Sequence, residues 1–297
     1  MSKTPKFLEA IRFNSAVRFG IRFIVNRYIP YKYKRTSFES TSTTLPIIVS
    51  LTSFPARINQ VWIVIESMLR QQEAPEKVVL WLSKEQFANE LNDLPQELVA
   101  QSKRGLDIRF LDGDIRSHKK YYYAFSEFKD KYVLTIDDDL LFPSTFVKDV
   151  FECAQRHPNS VIANFGSKFL WDENIEYIAR TNETIHPEET GLDLFFGSGG
   201  GTLFQPKRIL PYLDNIETIW KLCPTADDIY LNAIVRLSGM EVTFMGVFPL
   251  LSITNSNDDK LTDHNGNLYS PTSINANQLR ALVEYLKQRW NKNPFDV

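Results

Sequence analysis

Cysteine is nearly missing from this chain: Cys153 and Cys223 are the only two in 297 residues. Two isolated thiols make neither a disulfide framework nor a zinc or redox spacing, so the expectation is a reduced, cytoplasmic protein. No stretch is long and apolar enough to cross a bilayer. There is no low-complexity tract and no convincing internal repeat, which argues against a repeat array. Charge of one sign is lacking too. The 34 Lys and Arg against 36 Asp and Glu leave a net −2, which argues against nucleic acid as a partner. Glycine and histidine are scarce, with twelve and four residues, so any clustering of them carries information.

The balanced charge hides an asymmetry. Residues 1–40 hold nine Lys and Arg against Glu9 and Glu39, a local +7 that leaves −9 for the rest. Within this segment Phe, Ile and Val alternate with Arg at roughly helical spacing. An interfacial helix with a basic face toward anionic lipid has this pattern, and so does an amphipathic helix packed on its own domain. Arginines interrupt each apolar stretch, so the segment does not read as a signal peptide. The Ser/Thr-rich "TSFESTSTT" at 36–44 reads as a linker. The expected organisation is a basic amphipathic extension over 1–44 and one large domain over 45–297.

After residue 45 strands and helices alternate. "PIIVSLT" (46–52), "KVVLWLS" (77–83), "LDIRFLD" (106–112), "YVLTI" (132–136) and "SVIANF" (160–165) are short β-branched or apolar runs, as buried strands require. Between the first two, Ile58, Val61, Trp62, Ile65, Met68 and Leu69 fall at helical offsets on one stripe. Such alternation predicts an α/β fold with a mainly parallel sheet flanked by helices, binding ligands at the strand-exit rim. A strand is also expected over 241–249, with helices near 121–128 and 225–238 and a closing helix through Leu279, Leu282, Val283 and Leu286.

At that rim stands "TIDDDLLFP", with Asp137, Asp138 and Asp139 in succession. Hard divalent cations take carboxylate oxygens, and a nucleotide diphosphate can complete their shell. Asp137 and Asp139 point to one side if the strand geometry persists. The bland alternative is a cap for the following helix, which would use one carboxylate and leave two unexplained. "FGSGGGTLF" gathers Gly197, Gly199, Gly200 and Gly201, a third of all the glycine. It has no phosphate-loop pattern, so it is either a site of close backbone approach to a ligand or a flexible turn. "CPTADDIYLNAIV" opens a helix on Asp227 and Asp228. Thr225 with Asp228 resembles a capping box, leaving Asp227 without a structural role, and either carboxylate near an acceptor hydroxyl could act as general base.

Smaller features complete the set. His264 lies in the polar stretch "NSNDDKLTDHNGNLY", either as a ligand for Mn²⁺ or as a solvated loop histidine. Thr52, Ser53 and Arg57 follow the first strand and suit a base or ribose, Asp112 ends the third strand, and Lys119 and Lys120 suit a diphosphate.

In this order along the chain, residues 46–265 resemble bacterial GT-A glycosyltransferases of the family-two-like kind that build lipopolysaccharide or capsular chains. The resemblance implies a GT-A (Rossmann-like) fold, with a nucleotide-binding half over 45–165 and an acceptor-binding half over 166–297. It makes Asp137-Asp138-Asp139 the DxD motif, Gly199, Gly200 and Gly201 an acceptor loop, and Asp228 the base with Asp227 as acceptor or orienting contact. It makes Asp139, Asp137 and His264 the ligands of Mn²⁺ or Mg²⁺. Thr52, Ser53, Arg57, Asp112, Lys119, Lys120, Asp137 and Asp138 then face the donor. The implied partners are a nucleotide-sugar donor, UDP-linked in the first instance, and a glycan or lipid-linked acceptor at a membrane surface. Two rivals stay open. A nucleotidyltransferase making nucleotide sugars would need a glycine-rich signature that "SLTSFPARINQ" lacks, and a carbohydrate-binding module would leave the acidic pair unused.

Overall fold

The computed structural model describes residues 15–36, 43–173, 176–181, 183–246, 251–253 and 273–296. In chain order the elements are α1 (Ser15–Arg35), β1 (Thr44–Thr52), α2 (Ile58–Leu69), β2 (Ala74–Ser83), α3 (Gln96–Gln101), β3 (Leu106–Leu111), α4 (Lys119–Glu127) and β4 (Tyr132–Ile136). Next come β5 (Leu140–Leu141), α5 (Phe146–Arg156), β6 (Ser160–Ala163), β7 (Gly166–Asp172), β8 (Tyr177–Arg180), β9 (Glu189–Gly191), β10 (Leu194–Phe196) and β11 (Gly200–Phe204). The rest are α6 (Pro206–Ile209), α7 (Ile216–Leu222), α8 (Asp227–Leu237), β12 (Glu241–Phe244), β13 (Leu251–Ser252) and α9 (Ile274–Trp290).

Eight strands form one sheet in the order β3-β2-β1-β4-β11-β6-β12-β9. The pairs β1–β2, β1–β4, β2–β3 and β6–β12 are parallel, while β11 runs antiparallel to both β4 and β6, and β9 to β12. The expected α/β class with a mainly parallel sheet is therefore the observed one. The sheet passes without a break from the first half of the chain into the second, through β11, β12 and β9.

The apolar strands bury both faces, as their unbroken hydrophobic runs require. Val78, Leu80, Leu134 and Ile162 face a cluster with Ile58, Val61, Ile65 and Met68 of α2 and Val147 and Val150 of α5. Their neighbours Val79, Trp81, Val133 and Val161 face the other cluster, with Tyr121 and Phe125 of α4, Ile229 and Ile234 of α8 and Leu279 and Leu282 of α9. Each such aliphatic side chain contributes about 1.5–3 kcal/mol by leaving water, so the period-two alternation holds every strand in register.

Several elements depart from expectation. The strand expected over 241–249 ends at Phe244, and 247–250 lie outside the described residues. The strand expected over 160–165 ends at Ala163, because Asn164 and Phe165 turn at the rim. The region from 166 to 196 adds a three-stranded antiparallel sheet, β10-β7-β8, that periodicity did not reveal.

Helix α1 docks its C-terminal part on the domain. Ile29 and Tyr33 pack against the core beneath α2, Lys34 lies over the Trp62 ring, and Arg70 donates to the Tyr33 carbonyl at 3.1 Å. Phe23, Tyr28 and Tyr31 point outward. No helix among the described residues is long and apolar enough to cross a membrane.

Candidate active site

Because β11 runs antiparallel to β4, its first residue lies where β4 ends, and Gly200 pairs with Ile136. Topology alone thus brings the glycine cluster and the aspartate triplet to one point on the rim. The Asp137 amide donates to the Gly199 carbonyl at 2.8 Å. The Thr135 hydroxyl donates to the Ser198 carbonyl at 2.7 Å, Thr202 to the Gly197 carbonyl at 3.0 Å, and the Asn164 amide to the Gly200 carbonyl at 3.2 Å. These bonds tie the glycine segment down and rule out a merely flexible turn.

Each of its glycines makes room for a neighbour. A Cβ on Gly199 would lie 1.8 Å from Asp137 Oδ2, and one on Gly200 would lie 2.6 Å from the Phe165 Cβ. Gly201 has φ +93°, where a side chain is strained, and its Cβ would meet the Phe146 ring at 2.5 Å. The chain's own packing thus accounts for the three glycines expected to touch an acceptor.

The triplet does not keep strand geometry, because β4 stops at Ile136 and a turn follows. The strand-alternation argument for placing Asp137 and Asp139 on one side therefore does not apply, although the Asp137 charge still bears on the Asp139 carboxyl. Asp137 turns to Lys120, accepting from its Nζ at 2.8 Å. Buried Asp138 accepts from Ser53 Oγ at 2.6 Å and Arg57 Nη1 at 2.8 Å, and the same guanidinium reaches Asp139 at 3.2 Å. None of the three caps α5, whose N-cap is Thr145. Burial, then the Asp137 charge, pushes the Asp139 carboxyl up to about 6 against the opposing pull of Arg57.

Lys120 is the hub. Its side chain is 4% exposed, and Nζ lies 2.8 Å from Asp137 Oδ1 and 3.1 Å from Asp227 Oδ2. Burial works against its charge, but Asp137, Asp227 and Asp228 outweigh that and raise its pKa. The triplet and the acidic pair, far apart in sequence, thus meet on one ammonium.

The acidic pair corrects the capping reading. The N-cap of α8 is Ala226, with no side-chain cap bond, and Thr225 instead exchanges hydrogen bonds with Gln278 of α9. Asp228 accepts from the Ser198 amide at 2.7 Å and faces its hydroxyl at 2.6 Å, both through Oδ1. Asp227, which sequence reasoning left without a structural role, is the fully engaged member. It accepts from Ser117 Oγ at 3.0 Å, faces Ser198 Oγ at 3.0 Å and pairs with Lys120. Burial alone would raise Asp227, but Lys120 outweighs it and holds that carboxyl well below the usual range. Burial and then the Asp227 charge push Asp228 up to about 6. Two adjacent carboxylates thus part into a fixed anion and a group poised near neutrality, as acid–base chemistry uses. Asn232, one turn on, locks α8 to β10 by exchanging bonds with the Phe196 backbone at 2.8 and 3.2 Å.

Other expected residues lie elsewhere. Thr52 is on the rim of β1, next to β4, with its hydroxyl donating to the Trp81 carbonyl at 2.8 Å. Lys119 is buried and paired with Asp114, and burial lowers its pKa. Asp112 is exposed and pairs with Lys84 at 3.0 Å. It follows the edge strand β3, three strands from β4, which is about 14 Å at normal strand spacing. His264 lies outside the described residues. Among the described residues no three His, Cys, Asp or Glu side chains gather as a metal site. Sequence reasoning missed Ser117 and Ser198. Ser198 had a signal, as the one hydroxyl inside the glycine cluster, whereas Ser117 had none.

Residues 47–186 match the profile of the glycosyl transferase family 64 domain. No curated protein matches the chain. Among solved structures, residues 1–349 of S. aureus TarS are 13% identical, aligned over 82% of this chain and 72% of that one, with TM-score 0.49. The same TarS fragment with UDP aligns over 83% and 72% at 13% identity and TM-score 0.46. The mannosyltransferase PcManGT of Pyrobaculum calidifontis, in complex with GDP-Man and Mn²⁺, aligns over 82% and 66% at 12% identity and TM-score 0.43. The topology and site geometry above stand independently of these distant likenesses. The domain match carries one class of activity, and by it the chain is a glycosyltransferase.

Proposed function

We propose that the chain moves a sugar from a nucleotide sugar, UDP-linked in the first instance, to a hydroxyl of a glycan or lipid-linked acceptor, with inversion and with a divalent cation. The observation that carries this reading is the single buried Lys120 ammonium joining Asp137 of the DxD motif to Asp227 of the acidic pair. Donor and acceptor chemistry then meet at one point of the rim.

Asp228 Oδ2 accepts no hydrogen bond among the described residues, while Oδ1 is held by Ser198. A hydroxyl placed at Oδ2 gives its proton to that oxygen as the acceptor oxygen bonds to the anomeric carbon. The bond from that carbon to the diphosphate breaks, and its electron pair leaves with the nucleoside diphosphate. Asp227 stays ionised beside Lys120, so the proton goes to Asp228. Asp139 and Asp137 would hold Mn²⁺ or Mg²⁺, with His264 as a further ligand. Their oxygens suit a hard cation, which would offset the Asp137 charge that, after burial, raises Asp139. A bound cation supplies neutralisation of the departing diphosphate. Ser53 and Arg57 serve by anchoring Asp138, and Thr52 lies where a base or ribose would approach.

Incubation with UDP-, GDP- and CMP-sugars should release one nucleotide, and proton NMR of the product should show inverted anomeric configuration. Retained configuration would remove Asp228 as base, and no release with any donor would remove the reading.

We also place the enzyme at the cytoplasmic membrane face, in polysaccharide assembly of the lipopolysaccharide or capsule type. The support is α1, whose outward Phe23 and Tyr31 lie under Arg27 and Arg35 at 5.2 and 4.5 Å. Full-length protein should float with anionic liposomes and not with neutral ones. Protein unbound to both would remove membrane contact.

A further inference from the structure

Among the described residues only two phenylalanines are exposed: Phe23 on α1 and Phe165, which is 62% exposed at the rim after β6. Phe165 is no loose surface residue. Its carbonyl accepts from the Gly197 amide at 3.0 Å, and Asn164 beside it holds the Gly200 carbonyl. A Cβ on Gly197 would lie 2.9 Å from its ring carbon Cδ1, and one on Gly200 would lie 2.6 Å from its Cβ. Two of the chain's few glycines therefore form the seat of this one side chain.

The seat also sets its distance from the acidic pair. The same Cβ on Gly197 would lie 3.8 Å from Asp228 Oδ2, so ring and carboxylate oxygen flank a single glycine. Left exposed, a phenylalanine forgoes about 1.5–3 kcal/mol of burial, and glycine adds its own entropic cost. An aromatic face held beside a proton acceptor suits one ligand class. A pyranose ring has an apolar face of C–H bonds whose partial positive charge is drawn to the negative face of an aromatic ring. Its hydroxyls project from the ring edge, within reach of a neighbouring carboxylate.

We propose that Phe165 is the platform on which the acceptor's sugar ring stacks, presenting a hydroxyl to Asp228 Oδ2. The acceptor is then a carbohydrate, and Phe165 a specificity-determining residue. The assignment of the hydroxyl rests on the transferase reading; the platform itself does not.

Saturation-transfer NMR with methyl glucoside, galactoside, mannoside and N-acetylglucosaminide tests it, on full-length protein with Mg²⁺ and with or without UDP or GDP. At least one glycoside should show saturation concentrated on the C–H protons of one ring face. Its affinity should fall about tenfold in Phe165→Ala and in Phe165→Leu, which keeps an apolar side chain without the π face, and persist in Phe165→Trp. Thermal stability and nucleotide binding should not change in the variants. Unchanged glycoside affinity in Phe165→Ala, or binding of nucleotide with no glycoside bound, overturns the platform. Glycoside binding through Phe165 with no nucleotide bound supports the platform and sinks the transferase reading instead.

Discussion

Asp228→Asn should lower kcat by about 10²–10⁴, the range for losing a positioned general base, while nucleotide binding stays unchanged. Asparagine keeps an oxygen for the Ser198 amide, so the loop geometry that Oδ1 maintains survives. The loss isolates Oδ2, the oxygen free to take a proton. The sign of the pH dependence follows from the raised pKa. A base works ionised, so wild-type kcat/KM should be flat above about pH 6 and fall tenfold per pH unit below it. The variant's residual rate should lack that acidic limb. Asp227→Asn should behave differently, since it removes a fixed anion paired with Lys120, and its defect should include stability. Full turnover in Asp228→Asn would dismiss the base assignment.

Lys120→Met should destabilise the protein by about 3–5 kcal/mol, the cost of leaving buried partners of an ion pair uncompensated. For a chain of this size that is a fall in Tm on the order of 10 °C. Methionine is close to lysine in length and volume, so the loss reports charge rather than volume. Two carboxylates then face each other without the ammonium between them, and Asp227 should take up a proton well above its wild-type range. Lys120→Arg, which keeps the charge, should recover part of the stability. A melting curve unmoved by Lys120→Met would show that the bridge is not the joint described here.

The sequence disclosed the sheet well because its signal is local. "YVLTI" and "KVVLWLS" are buried on both faces, and an unbroken apolar run says so without tertiary information. Hidden were features set by pairing across the chain. The antiparallel insertion of β11 between β4 and β6 has no local mark, yet it brings Ser198 to the acidic pair. Capping logic misassigned Asp228 for the same reason: the spacing from Thr225 fits a cap, but Gln278, far along the chain, takes Thr225 away. Strand alternation could not be carried on to Asp137 and Asp139, because the strand ends at Ile136, where its sequence signal ends, and a turn follows. Lys119 and Lys120 read from the sequence as diphosphate partners, whereas in the fold both are buried and paired with Asp114 and with Asp137.

In the function proposed, the triplet and the acidic pair form one nucleotide-sugar site, with Asp139 on its cation side. Titration calorimetry of UDP, GDP and CMP, with and without Mn²⁺, tests it on wild type and Asp139→Asn. One nucleotide should bind, more tightly with Mn²⁺, and the Mn²⁺ enhancement should disappear in the variant. No nucleotide bound under any condition, or an Mn²⁺ enhancement that survives Asp139→Asn, would contradict it.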